Sequence, residues 1–279
     1  MSNLTKRILS AIVGLAIVSA ILIYGNTWLW KLLVLHLTML GLNEFFKNMV
    51  TNRFPEYKDL RNIAVFLGGG ISSIILFYPK LLIFTPTIFL LLAALYFLFN
   101  FKDLETVIER MGYLVLGIIY IAYTLPYIGV VIEQPTSSAL NGKFLLVLVF
   151  AITWGNDTFA YTFGRLFGKH KLYEKMSPNK TIEGAVGGLF GGAGLAVLVK
   201  IFLLPEISFI DIVLVAVISG AFGQMGDLVE SMFKRYFKIK DSGVFLPGHG
   251  GVLDRFDAVM FNAPIIYFYF ILSNGGLFN

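Results

Sequence analysis

The sequence predicts an all-α protein, a polytopic integral membrane helical bundle with about nine transmembrane helices, its N-terminus cytosolic and its C-terminus outside. Hydrophobic residues make up 57% of the 279 residues and charged residues only 14%, whereas soluble domains have about 45–50% and about 25%. The apolar residues form long runs, and most basic residues fall on one side of them. These three observations together indicate a chain that crosses a bilayer repeatedly.

Nine continuous apolar runs are the candidate transmembrane helices. A helix that crosses a hydrocarbon core needs roughly 17–25 residues, and these runs lack the polar and apolar alternation of membrane β-strands. They cover residues 8–24, 28–46, 63–78, 81–99, 112–132, 144–163, 182–204, 210–233 and 256–273. The first run is longer than the apolar region of a signal peptide and lacks a clear cleavage site, so we expect it to be retained.

The basic residues predict the orientation, since cytosolic loops carry an excess of Lys and Arg. Of 22 such residues, only Lys31, Lys80, Lys143 and Lys200 fall on the side opposite the N-terminus. The N-terminus is therefore expected in the cytosol. The net charge of +5 reflects this topology and an attraction to anionic lipid, and it gives no argument for nucleic acid binding.

We expect a single membrane domain over residues 1–279. Within it, residues 1–132 form less polar N-terminal helices, and residues 144–273 form the helices that carry the candidate functional residues, with cytosolic loops at 164–181 and 234–255. The chain has no cysteine, which excludes disulfides and thiolate metal sites.

Glycines dominate one face of the run at residues 182–204. Gly184, Gly188 and Gly192 recur every four residues, with Gly187 and Gly191 beside them. Small residues let a neighbouring helix approach closely. We expect a packing face rather than a phosphate loop, because no Lys-Ser or Lys-Thr pair follows.

Two intramembrane carboxylates are the first candidate functional residues. Asp157, in TWGNDTFAY, and Asp227 each lie about six residues, or ~9 Å, from the cytosolic end of a run. Around Asp227, polar and small residues share one helical face: Gly220, Gly223, Gln224, Ser231 and Lys234, with Glu230 beside them. An ionisable residue at such depth is costly and indicates function, and a cation is expected opposite it.

The loop KDSGVFLPGHGGVLDRFD, residues 240–257, concentrates charge on the same predicted side. Its ionisable residues are Lys240, Asp241, His249, Asp254, Arg255 and Asp257. Carboxylates beside basic residues suit Mg²⁺ that also binds substrate phosphates. Gly248, Gly250 and Gly251 would let the backbone N–H groups approach those phosphates.

The basic segment HKLYEKMSPNKTIEG precedes the glycine-rich run. Thr181 is placed to cap that helix, and Glu183 falls in its first turn. Lys175 and Lys180 are candidates for binding a triphosphate at the helix N-terminus.

Three other polar residues carry less information. His36 and Glu44 lie in the second run with no partner that the sequence can name. His249 has no second His or Cys at ligand spacing, which argues against zinc.

The segment SMFKRYFKIKDSGVFLPGHGGVLDRFD, residues 231–257, resembles the signature of the phosphatidate cytidylyltransferases, also called CDP-diacylglycerol synthases. The blocks WGNDTFAY and SPNKTIEG are also similar to that family. The resemblance implies cytidylyl transfer from CTP to phosphatidic acid, giving CDP-diacylglycerol and pyrophosphate, with Mg²⁺ required.

The resemblance also suggests roles for the candidate residues. The expected metal ligands are Asp227 and Asp254, then Asp157, Asp257 and Asp241, for one or two ions. The expected phosphate-binding residues are Lys180, Lys234, Arg235, Lys240 and Arg255. His249, Gly248, Gly250 and Gly251 would shape the pyrophosphate pocket, and Ser231 would bond a phosphate or orient Asp227.

Two other functions are compatible with parts of the pattern. Intramembrane carboxylates also occur in cation- or proton-coupled transporters, but no inverted repeat is evident. A CTP-dependent polyprenol kinase would use similar chemistry, and the signature at residues 231–257 favours the cytidylyltransferase. We expect an integral protein of a bacterial cytoplasmic (inner) membrane with its active site facing the cytosol, and a homodimer is compatible with the glycine face.

Overall fold

The computed structural model describes residues 20, 24, 26–100, 103–133, 142–245 and 250–273. Within these residues, eight helical segments are long and apolar enough to cross a membrane. They correspond one to one with the last eight predicted runs, which confirms an all-α integral membrane protein. The first predicted run, 8–24, lies outside the described residues except at 20 and 24, and the count of nine and the sides of the termini stay predictions.

The secondary structure is almost entirely helical. The helices are α1 (Thr27–Glu44), α2 (Leu60–Phe77), α3 (Thr85–Asn100), α4 (Leu104–Gly117), α5 (Tyr127–Val130), α6 (Lys143–Phe167), α7 (Ile182–Leu203), α8 (Phe209–Phe237) and α9 (Leu253–Ser273). Two strands pair antiparallel: β1 (Lys171–Tyr173) and β2 (Ser177–Thr181). π-Helical turns extend α1 over Phe45–Thr51 and α4 over Ile118–Ala122. Short 3₁₀ segments are Pro55–Tyr57, Pro79–Phe84 and Val131–Glu133.

The chain divides into two compact units. The first comprises Met1–Val130 and Tyr236–Arg255, and the second comprises Val131–Arg235 and Phe256–Asn279. Helices α8 and α9 therefore each contribute residues to both units. Most of the segment predicted as a loop at 234–255 belongs to the first unit, together with α1 to α4.

In the first unit, aromatic and aliphatic side chains of α1 and its π-helical extension form the core. Leu42, Phe45 and Phe46 are fully buried, and Trp30 Nε1 donates a hydrogen bond to the carbonyl oxygen of Ile128, 2.9 Å away. The buried Trp therefore satisfies its one polar group, as an indole in an apolar core must.

In the second unit, α6 and α7 pack closely through the predicted glycine face. A Cβ at Gly184 would lie 2.7 Å from the carbonyl oxygen of Ala160, and one at Gly188 would lie 2.9 Å from that of Asn156. These distances leave no space for a methyl group. The other glycines of this face are also buried: Gly187, Gly191 and Gly192. The prediction of a helix-packing face is confirmed.

The segment between α6 and α7 is more ordered than the predicted loop at 164–181. Helix α6 continues to Phe167, and the residues beyond it form a β-hairpin in which Lys171 pairs with Thr181 and Tyr173 with Ser177. Thr181 ends the hairpin and caps α7, since its Oγ1 accepts a hydrogen bond from the Gly184 N–H at 3.1 Å. The predicted N-cap is therefore confirmed. The hairpin was not predicted, because a strand of three residues is too short to give a clear sequence pattern.

Replacing Gly188 by Ala tests the packing of α6 against α7. We expect Gly188→Ala to destabilise the protein by ~1–3 kcal/mol, as overpacking of a tight contact does. Gly194→Ala is the matched control, because a Cβ there meets no atom within 4 Å and the gain in helix propensity is the same. Thermal unfolding in detergent should show a lower midpoint for Gly188→Ala alone, and equal midpoints for the two variants would contradict the packing.

Candidate active site

Three helices of the second unit each supply a carboxylate to one region. Asp157 lies on α6, Asp227 on α8 and Asp257 on α9. Asp257 interacts electrostatically with both other carboxylates, and Asp157 interacts with Asp227. When ionised, carboxylates that interact in this way repel one another, so the arrangement favours a nearby cation.

The close approach of α9 to α8 follows from a glycine that precedes Asp227. A Cβ at Gly226 would clash with the carbonyl oxygen of Asp257. Only a glycine lets the two backbones approach so closely, and Asp227 and Asp257 are thereby brought near each other.

A lysine from the hairpin provides the cation that the sequence predicts opposite the carboxylates. Lys180, on β2, has its Nζ 2.5 Å from Oδ2 of Asp227, and it also interacts electrostatically with Asp157. The two paired side chains are 28% and 35% exposed. Because solvent reaches both, the pair can exchange partners when a charged ligand arrives.

Two of the three carboxylates and the lysine line a cavity of about 500 Å³. Asp157 and Asp227 contribute to its wall from α6 and α8, and Ser177, Asn179 and Lys180 contribute from the hairpin. Arg165 of α6 also lines it, so the cavity is bordered by acidic groups on the helices and by basic groups on both α6 and the hairpin. A phosphate-bearing ligand with its counter-ion fits this distribution of charge.

The amides of Asn156, which is buried, and Gln224, which is half-buried, join α6, α7 and α8 beside the carboxylates. Asn156 Nδ2 donates to the Gly220 carbonyl oxygen (2.8 Å), and Gln224 Nε2 donates to Asn156 Oδ1 (2.6 Å) and to the Ala185 carbonyl oxygen (2.9 Å). This network fixes α6, α7 and α8 relative to one another. Sequence reasoning gave Asn156 no role, although its position next to Asp157 was a usable signal.

The hairpin that carries Lys180 is anchored to the start of α7. Glu183 accepts hydrogen bonds from the backbone N–H groups of Lys169 and His170, and its Oε1 lies 2.6 Å from Nδ1 of His170. The placement of Glu183 in the first turn of α7 confirms the prediction. Its carboxylate also complements the positive end of the helix dipole.

The other predicted residues of α8 lie near its C-terminal end. Lys234 forms an ion pair with Glu230, which is buried. Arg235 is exposed, and its Nε donates to the Met176 carbonyl oxygen at 3.3 Å, while Ser231 is half-buried. These residues extend the basic character of the second unit beyond the cavity.

The remaining predicted site residues belong to the first unit or lie outside the described residues. Lys240, Asp241 and Arg255 are exposed. His249 and Gly248 are not among the described residues.

Asp254 of the first unit is held by its own loop. Its Oδ2 accepts hydrogen bonds from the Ser242 N–H (2.8 Å), the Ser242 hydroxyl (2.9 Å) and the Gly251 N–H (2.8 Å). Gly250 adopts a positive φ of 81°, which glycine allows at little cost. The Gly251 N–H, predicted to face a phosphate, is thus donated to Asp254 in this arrangement.

Comparison with known proteins places the chain in a family. Residues 5–273 match the profile of the cytidylyltransferase family. A protein of Staphylococcus haemolyticus named phosphatidate cytidylyltransferase is 34% identical over 264 residues, which cover 93% of this chain and 96% of that protein.

Two further relatives with the same name align over a shorter stretch. The relative from Staphylococcus saprophyticus is 41% identical over 58% of this chain, and that from Staphylococcus aureus is 40% identical over 60%. The aligned segments span 62% and 65% of those two relatives. Since the family profile covers nearly the whole chain and agrees with the resemblance of residues 231–257, the chain belongs to the cytidylyltransferase family.

Proposed function

We propose that this protein transfers a cytidylyl group from CTP to phosphatidic acid and releases CDP-diacylglycerol and pyrophosphate. The observation that carries the proposal is the cavity in which Lys180 meets Asp157 and Asp227. Membership of the cytidylyltransferase family and the shared name of three relatives support the choice of substrates.

The reaction forms one phosphorus–oxygen bond and breaks another. An ionised phosphate oxygen of phosphatidic acid attacks the α-phosphorus of CTP. The bond from that phosphorus to the bridging oxygen of the β-phosphate breaks, and its electron pair leaves with pyrophosphate. Because the nucleophile is already ionised, the protein has to align the reactants and offset negative charge rather than supply a strong base.

Lys180 is the residue best placed to offset charge on the nucleotide. Its ammonium is already in the cavity, and its partner Asp227 is partly exposed. A triphosphate carries more negative charge than one carboxylate, so we expect Lys180 to turn from Asp227 to a phosphate when CTP binds.

The two carboxylates of the cavity and the neighbouring Asp257 fit Mg²⁺. Asp157, Asp227 and Asp257 are the hard oxygen donors that this ion prefers, and a divalent cation would relieve their mutual repulsion. Among the described residues, no three acidic or histidine side chains already surround a common metal position. Mg²⁺ is usually bound by one or two carboxylates and completed by water and substrate phosphates. When bound, the ion would neutralise part of the triphosphate charge. Asp254 and Asp241 stay predicted ligands on the first unit.

The exposed basic residues are proposed to bind the outer phosphates and the lipid head group. They are Lys240 and Arg255 in the first unit and Arg235 in the second. Lys234 is proposed to act from its ion pair with the buried Glu230. Phosphatidic acid is anionic and stays in the bilayer, so basic groups near a membrane surface would attract it.

The distribution of Lys and Arg supports a catalytic side that faces the cytosol, where CTP is made. Relatives from bacteria support a cytoplasmic (inner) membrane. A homodimer stays a prediction of the sequence.

The direct test of the function measures both products of the reaction. Purified protein in detergent, given labelled CTP, Mg²⁺ and phosphatidic acid, is expected to move label into the lipid and release an equal amount of pyrophosphate. EDTA is expected to abolish both, and added Mg²⁺ to restore them. No transfer from a folded sample, across lipids and metals, would reject the function, and transfer that survives chelation would reject the metal requirement alone.

Replacing Asp227 by Asn tests the carboxylate cluster. The neutral side chain keeps the shape but loses the charge that would bind Mg²⁺, so we expect kcat to fall by about 10²–10³-fold. Asp211→Asn is the matched control on the same helix, since Asp211 pairs with the Tyr269 hydroxyl (2.5 Å) away from the cavity. Steady-state cytidylyl transfer measures both, and a normal rate with normal Mg²⁺ dependence in Asp227→Asn would exclude Asp227 as a ligand.

Replacing Lys180 by Gln tests the contact with the nucleotide. Loss of the ammonium leaves phosphate charge uncompensated, and we expect kcat/KM for CTP to fall by roughly 10²-fold or more. Lys200→Gln, at the other end of α7, removes a lysine that donates to the Pro205 carbonyl oxygen (3.0 Å) and should change little. Equal CTP kinetics in the two variants would show that Lys180 does not touch the nucleotide.

A further inference from the structure

Glu44, at the end of α1, is a buried acid that sequence reasoning left without a partner. In the first unit it is 7% exposed, and its oxygens face the start of α9. Oε1 accepts the Val252 N–H at 3.0 Å, and Oε2 accepts the Leu253 N–H at 3.2 Å. Because the first N–H groups of a helix have no partner within it, this carboxylate supplies what α9 lacks, although it is 208 or more residues away in the chain.

Ser242 connects Glu44 with Asp254. The Ser242 hydroxyl lies 3.2 Å from Glu44 Oε2 and 2.9 Å from Asp254 Oδ2. It carries one proton, so it donates to one carboxylate at a time while staying within reach of the other. Ser242, on the α8 side of this loop, is thereby joined both to Asp254 in the first turn of α9 and to Glu44 of α1.

Two glycines of this loop fit around Glu44. A Cβ at Gly243 would lie 2.5 Å from Glu44 Oε1, and one at Gly251 would lie 2.7 Å from its Cδ. Neither position can hold a larger residue while Glu44 keeps its hydrogen bonds. The backbone at Gly243 and at Gly251 therefore lies directly against this carboxylate.

We infer that Glu44 is a positioning residue that fixes the backbone at residues 242–243 and 251–253 and, through it, the orientation of Asp254. The catalytic part of this inference rests on the proposed function, in which Asp254 is an expected metal ligand. Among the described residues, the hydrogen bonds that the Glu44 side chain accepts come from Ser242, Val252 and Leu253. They connect Glu44 to the described part of this loop and to the start of α9.

Glu44→Gln tests the inference with a nearly isosteric change. The amide places an N–H₂ group where two backbone N–H groups need acceptors, so at least one hydrogen bond is lost. We expect faster amide hydrogen exchange at Val252 and Leu253, a kcat reduced by about 10–100-fold, and a higher Mg²⁺ concentration for half-maximal rate, as loss of supporting contacts around a ligand produces.

Thr38→Val is the matched control on the same helix. Thr38 is fully buried, and its hydroxyl donates to the Val34 carbonyl oxygen within α1, at 2.8 Å. It should leave exchange at 252–253, kcat and the Mg²⁺ requirement unchanged. If Glu44→Gln unfolds, Ser242→Ala serves instead, since it removes the hydroxyl that links the two carboxylates.

The outcomes separate this inference from the proposed function. Unchanged exchange at 252–253 in a folded variant would overturn the inference, and so would faster exchange with an unchanged rate and Mg²⁺ requirement. A wild-type protein that transfers no cytidylyl group would instead reject the proposed function, and the exchange data would then still decide whether Glu44 holds the loop.

Discussion

The arrangement of the second unit depends on one constraint, which is that carboxylates on apolar helices need a compensating positive charge. Asp157 and Asp227 are carboxylates on membrane-spanning helices, where an uncompensated charge costs several kcal/mol or more. Lys180 provides that charge through its ion pair with Asp227, and it is in position to do so because it lies on the β-hairpin between α6 and α7. The hairpin in turn depends on the α6 and α7 contact, since the two helices whose ends it joins approach each other through glycine.

The two units provide different kinds of partner for their acidic residues, and the difference fits different roles. Asp227 is 35% exposed and paired with the side chain of a partly exposed lysine. Glu44 is 7% exposed and bonded to backbone N–H groups. A partner that is a side chain can leave when a substrate arrives, whereas backbone donors cannot leave without moving the loop. The open arrangement suits binding, and the closed one suits support.

Sequence was sufficient where the physical signal is local or periodic. Apolar runs predicted eight helices that the structure contains. The four-residue spacing of Gly184 and Gly188 predicted the packing face. The position of Thr181 directly before an apolar run predicted that its side chain caps α7. Local and periodic sequence patterns did not predict contacts between distant parts of the chain. Nothing near Glu44 indicates that its partners are Val252 and Leu253, because a hydrogen bond over that separation leaves no pattern in either segment.

The glycines of residues 240–257 show why composition alone could not resolve this loop. A glycine can be needed for a positive φ, for space beside a ligand, or for space beside another side chain. Gly250 meets the first condition, while Gly243 and Gly251 meet the third, because the volume that their side chains would fill is occupied by Glu44. A glycine-rich loop beside acids therefore indicates phosphate binding only where the space next to the glycine is open. In this loop, part of the glycine content serves to admit a supporting carboxylate.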